Sequence, residues 1–231
     1  MQGAERRKGK WPSRHVPEED TMGTINDLSE RVNEAMATAY REEIARRPRA
    51  IEVAKRVYLA LVNPAALADG ADACEGALAA VAASLTEYLL FDADIDGERG
   101  ALGAYTMEPD ADPDAARLCL GLSETVFFSK FLVESQDPDA GTAVLVDLAD
   151  GAKYEVADAE IASTEGWSRG TLGVWLAKVS GQWLCVSIIP FHDFCRDAEA
   201  DPAEFDYLTL VGRVLGAGGR YANSVRLYAA A

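Results

Sequence analysis

Three carboxylates alternate at Asp92, Asp94 and Asp96, and Gly97 follows them. A calcium loop opens this way, because alternate side chains converge on one cation and a glycine turns the chain. The rest of such a loop is missing. Its twelfth position needs a bidentate carboxylate and is Gly103, and its eighth should be apolar and is Arg99. The segment reads as a solvated acidic loop. Cys185, His192 and Cys195 are the best-spaced soft ligands, but tetrahedral zinc needs a fourth, which Asp193, Cys119 or Cys74 could supply only through a contact made by the fold. Cys185 also falls in an apolar run from Trp183 to Ile189, where a buried thiol is ordinary. His192 and Cys195 have the separation of a base and a nucleophile sharing one helical turn, yet no third group orients them. Gly212, Gly216, Gly218 and Gly219 close a helix pattern, whereas a phosphate loop needs glycines that open one. These residues assign no catalytic group, and no metal or cofactor is expected.

Aromatic residues gather between Phe127 and Trp183, and Trp167, Trp175, Tyr154 and Phe91 are the candidate binding residues. Stacking of nucleobases on such a barrel needs a basic groove. The charge argues the other way. The 231-residue chain carries a formal charge of −16, with 2 basic against 13 acidic residues in 67–125 and 4 against 10 in 126–195. That field repels phosphate backbones and anionic lipid, so nucleic acid and membranes are poor partners. The one basic stretch is the helix 46–56, with Arg46, Arg47, Arg49, Lys55 and Arg56. It reads first as a neutraliser of the acidic middle region and second as a nucleic-acid surface. The four cysteines are spread too widely for a disulfide scaffold, and no apolar run approaches the ~20 residues of a spanning helix. A cytoplasmic protein with reduced thiols is the expectation.

The elements that must position these groups follow from periodicity. Residues 1–22 lack it and read as a disordered arm, with Met1 and Met22 both open as the start. Ile25, Leu28, Val32, Met36, Tyr40 and Ile44 form one stripe of a helix that Pro48 interrupts. A second helix covers 48–62 and stops at Asn63-Pro64; a third covers about 72–90. Some twenty loop-like residues follow Phe91, and Asp112-Pro113 caps a short fourth helix. Five β-rich runs then appear: 130–136, 142–148, 152–157, 171–179 and 182–189. Asp150-Gly151 and Ser180-Gly181 mark hairpin turns. A last helix is expected from Asp201-Pro202 to about Leu215.

Two stretches carry a family resemblance. Ser84-Leu85-Thr86-Glu87-Tyr88-Leu89-Leu90-Phe91-Asp92 ends a helix in a Phe-Asp turn. Val144-Leu145-Val146-Asp147-Leu148 leads to Gly151, Tyr154, Val156 and Asp158, then Gly170, Gly181 and Trp183. Together, over about residues 80–190, they resemble uncharacterised bacterial proteins related to the SEC-C-motif family. The resemblance implies a helical segment leading into a small barrel and a binding module. The zinc motif of that family is absent, so its zinc is not implied.

The expected fold is α+β: a disordered arm 1–22, a helical bundle 23–126, a five-stranded antiparallel SH3/OB-like barrel 127–195, and a C-terminal helix and tail 196–231. The expected function is non-catalytic binding of a protein or small ligand at the helix–barrel junction. The alternatives are a metal-assisted enzyme using the acidic loop 92–114 and a nucleic-acid binder using the helix 46–56.

Overall fold

The structure, a computed structural model, describes residues 18–62, 71–193 and 201–216. Most of the expected arm, the Asn63-Pro64 stop, Cys195 and the tail after Gly216 lie outside the described residues, as do the side chains of Met22 and Cys74.

Helix α1 (Glu18–Arg46) starts before the expected stripe, so residues 18–22 are helical and do not belong to an arm. It buries Val32, Ala35, Met36, Ala39 and Glu43, which recur every three to four residues. Pro48 separates α1 from α2 (Pro48–Leu59) because its ring suits the first turn of a helix and not the interior. Helix α3 (Ala71–Phe91) follows. The next segment was expected to be loop. Instead it forms a hairpin of β1 (Asp94–Ile95) and β2 (Glu98–Arg99), then α4 (Gly100–Thr106). Two glycines weaken the helix signal of α4. Burial of Ala101, Leu102, Ala104 and Tyr105 supplies what propensity lacks. Helix α5 (Pro113–Thr125) begins at the expected cap, with Asp112 Oδ1 accepting from the amides of Asp114 and Ala115.

The barrel strands are β3 (Phe127–Asp137), β4 (Thr142–Asp147), β5 (Lys153–Ala157), β6 (Thr171–Val179) and β7 (Gln182–Cys185). They close in the order β3-β4-β5-β7-β6, with β6 pairing back onto β3. The expected all-antiparallel arrangement is not found: β5 and β7 run parallel. The reason is parity. Antiparallel neighbours alternate in direction, and a closed ring with an odd number of strands must contain a parallel pair. Between β5 and β6 lie α6 (Ala159–Ser163) and a 3-10 turn (Glu165–Arg169). The fifth expected run, 182–189, is also corrected. Strand β7 ends at Cys185, and β8 (Phe191–Asp193) pairs separately with β6. A 3-10 turn (Pro202–Phe205) and α7 (Tyr207–Gly216) complete the described chain.

Strand β6 is buried on both faces. Leu172, Val174 and Leu176 fill the barrel, while Trp175, Ala177 and Val179 join the helical core. Two such faces give a nearly continuous apolar strand in place of alternation. Gly173 lets the barrel and α7 approach, since a Cβ there would lie 3.0 Å from Leu210 Cδ2.

The turns differ in kind. Ser180-Gly181 is a two-residue turn with φ of 52° and 88°, the primed geometry that matches strand twist. Gly151 has the expected positive φ of 77°, but its loop is longer than a two-residue turn. Gly151 N donates to Asp147 O and Asp147 N to Ala152 O, each at 2.8 Å, which encloses four residues.

Candidate functional site

The acidic segment does not converge on a cation. Asp96-Gly97 is the turn of the β1–β2 hairpin, with φ of 56° and 92°, and Asp94 Oδ1 accepts from Gly97 N at 2.8 Å. Asp92 pairs with Arg99 at 3.1 Å, and Asp96 Oδ2 lies 3.3 Å from Arg47 Nε. Further along, Glu108 meets both Arg46 and Arg47, and Asp110 lies 3.2 Å from Arg46. Buried Glu43 is ion-paired with Arg47 as well. The guanidinium groups at the α1–α2 corner therefore neutralise the acidic segment across the fold. Arg56 pairs locally with Glu52. Among the described residues, no three His, Cys, Asp or Glu side chains are grouped to hold a metal ion.

The soft-ligand candidates are also separated. Cys185 stands opposite Leu176 and His192 opposite Leu172 along the same strand. Four residues of strand place them about 13 Å apart, too far to share one zinc. His192 is fully buried and its ring stacks on Trp167 at 6.0 Å. Trp167, Trp175 and Phe91 are at most 2% exposed and serve as core. Tyr154 is half-buried, packed edge-on against Trp183 and also against Phe127 and Phe131.

Two polar constellations remain; sequence reasoning missed the first, and of the second it expected only the place, the helix–barrel junction, and not the residues that line it. The first is a seam inside the helical core. Glu87 of α3, with no exposed surface, accepts from the amides of Ile188 and Ile189, the latter at 2.8 Å. The Tyr207 hydroxyl lies 2.7 Å from Glu87 Oε2 and 2.9 Å from Ser84 O. Ser84 Oγ donates to Ala80 O at 2.6 Å and meets the Tyr58 hydroxyl. Burial pushes the Glu87 carboxyl up to about 7, although Tyr207 and the two amides pull it back. Burial likewise raises Tyr58 to about 12. The one sequence signal of Glu87 is an acid flanked by Leu85, Tyr88 and Leu89, on a helix otherwise apolar there.

The second constellation is a cleft of about 240 Å³ at the helix–barrel junction. Asn26, Ser29 and Asn33 of α1 form one wall; Asp158, Glu160, Cys185 and Ser187 from the barrel side form the other. The α1 spacing of three and four residues puts the amides and the hydroxyl on a single helix face. Asp158 caps α6, its Oδ1 accepting from Ile161 N at 2.8 Å. Burial raises its pKa, the caps offset this in part, and the Cys185 thiol bonds to it. The Cys185 thiol is itself pushed well above its ordinary range, first by burial and then by Asp158. Cys119 is raised to about 12 by burial alone. A thiolate is the reactive form, so both described thiols are chemically quiet.

Compared with known proteins, the chain matches no family model, no curated protein and no solved structure. No helix among the described residues is long and apolar enough to cross a membrane.

Proposed function

We propose that this chain is a non-catalytic binding protein that takes a cationic, hydrogen-bond-donating group into the cleft between α1 and the β7–α6 side of the barrel. The group belongs to a small ligand or to a basic side chain of a protein partner. The observation that carries this reading is the pairing of neutral polar residues on α1 with Asp158 and Glu160 across an open cleft. A guanidinium or ammonium offers donors to carboxylates and amide oxygens alike. The overall charge of −16 attracts such a partner to the surface before docking. The resemblance over residues 80–190 supports a binding module in the same way. A catalytic reading finds little support, since the described thiols are held neutral and His192 is fully buried. The nucleic-acid reading loses Arg46 and Arg47 to internal ion pairs.

The test is an NMR titration of the full chain with arginine amide, lysine amide and the uncharged norleucine amide. The reading expects shifts at Asn33, Ser187 and Glu160 with the two cationic probes only. Asp158→Asn keeps the helix cap and removes the charge, and it should weaken the response about tenfold. Equal responses from norleucine amide, or shifts confined to other surfaces, would overturn the reading.

A further inference from the structure

The segment between β7 and β8 joins the two constellations. Cys185 and Ser187 line the cleft, while Ile188 and Ile189 are held from behind by Glu87. Ser187 Oγ also accepts from Trp175 N at 2.7 Å, and Val186 N donates to Trp175 O at 3.0 Å. Between them, β6 and Glu87 fix the course of residues 186–189.

Counting hydrogens at Tyr207 defines the state of the carboxyl. A tyrosine hydroxyl carries a single hydrogen. Here the hydroxyl oxygen sits within hydrogen-bond distance of two oxygens, Glu87 Oε2 and Ser84 O. If Glu87 is ionised, one of those two contacts has no hydrogen between its oxygens. If Glu87 is protonated on Oε2, it donates to Tyr207, which donates to Ser84 O, and Oε1 still accepts from the two amides. Every contact is then satisfied. The groups facing the carboxyl agree with this. Tyr207 on α7, Tyr58 on α2 and Cys185 on β7 are the titratable neighbours, and all are neutral at pH 7. No cationic group contributes to the Glu87 environment among the described residues.

We propose that Glu87 is a proton-controlled latch: protonated, it holds residues 186–189 against α3 and so fixes one wall of the cleft, and ionised, it lets that segment open to water. An isolated carboxylate in an apolar core is costly, and hydration through local opening relieves it. The shift of Glu87 to about 7 places this exchange in the neutral range. The latch itself stands on the seam. Its consequence, a cleft that loosens as pH rises, rests on the binding reading given above.

Hydrogen exchange on the full chain, corrected for intrinsic rates, tests the latch without a ligand. Protection of the Ile188 and Ile189 amides should fall about tenfold from pH 6 to pH 8, because the opened state binds the proton more weakly. Amides of Val133 and Leu145 in the β3–β4 hairpin, which open with the whole fold, should stay better protected than Ile188 and Ile189 at both pH values. Glu87→Gln copies the protonated form, since its NH2 donates to Tyr207 and its carbonyl accepts from the two amides. In that variant protection should be equal at both pH values. Unchanged protection of the original chain would overturn the proposal whether or not the variant folds. So would protection at Ile188 and Ile189 equal to that at Val133 and Leu145 at both pH values, which would mean that the segment opens only with the whole fold. Failure of the cationic probes to bind at either pH would count against the cleft reading alone and leave the exchange result standing.

Discussion

The acidic segment from Asp92 to Asp112 and the seam around Glu87 meet at the end of α3, and they treat carboxylates in opposite ways. In the first, Asp92, Asp96, Glu108 and Asp110 face arginines, and Asp94 and Asp112 accept from backbone amides. Their charge is spread over the surface, and water screens what the arginines do not neutralise. In the second, one carboxyl stands in the core with three hydrogen-bond partners and no cation. Density of charge is thus a poor guide to chemistry in this chain. Glu87, fully buried with no cation facing it, is the group whose protonation state matters.

Substitutions separate the two regions, and the largest effect is expected where the acidic segment folds back on α3. Gly100 has φ +70°, and a Cβ there would lie 2.1 Å from the backbone oxygen of Leu90. Gly100→Ala combines a left-handed strain with a clash against main chain, so it should cost about 4 kcal/mol in urea unfolding. A cost below about 1 kcal/mol would mean that the hairpin does not pack on α3 as described.

Glu87→Ala should follow at about 3 kcal/mol, because the amides of Ile188 and Ile189 lose their acceptor in a dry site. Glu87→Gln keeps the acceptor and should cost less than about 1 kcal/mol at pH 5. The comparison with pH is sharper. The carboxyl pKa is raised from 4.5 to about 7, so the folded chain holds the extra proton between those values. Stability from this group is complete below about pH 4.5 and is lost as pH rises through about 7. The difference in unfolding free energy between the original chain and Glu87→Gln should therefore shift by about 3 kcal/mol across that window, in favour of Gln at high pH. Parallel curves would remove the distinction between the two regions.

Gly151→Val isolates conformation from contact. Gly151 has φ +77°, yet a Cβ there would meet nothing within 4 Å. Strain alone should cost about 2 kcal/mol by thermal unfolding, more than Lys153→Thr on the exposed face and less than Gly100→Ala. The smallest effect is expected for Asp94→Asn. Its Oδ1 still accepts from Gly97 N, so stability should change by less than about 0.5 kcal/mol, and added calcium should leave the melting temperature of either form unchanged. A calcium-dependent rise lost in Asp94→Asn would restore the metal reading of this loop.

Local signals made much of the architecture legible. The Val32–Met36 stripe, Pro48, the Asp112-Pro113 cap and the Ser180-Gly181 turn all act within a few residues, and each is found in the structure. Helix α4 escaped because its glycines mask a segment that burial alone makes helical. The parallel β5–β7 seam follows from counting strands around a closed ring, an argument that needs the closure first. The sites were far less visible. Glu87 gains its role from Tyr207, 120 residues away, and from Ile189, 102 residues away. Asp158 reads as a helix cap, and its neighbour Cys185 comes from another strand. The aromatics were visible for the opposite reason: Trp167, Trp175 and Phe91 are conspicuous because they build core.

The most direct test of the contrast is the side-chain carboxyl resonance of Glu87, followed by 13C NMR from pH 3 to pH 9 and assigned by its absence in Glu87→Gln. The account predicts a titration midpoint of about 7, the mark of an acid kept neutral by its surroundings. A midpoint at the ordinary value of 4.5 would contradict it, and Glu87 would then differ from the surface carboxylates only in its place in the fold.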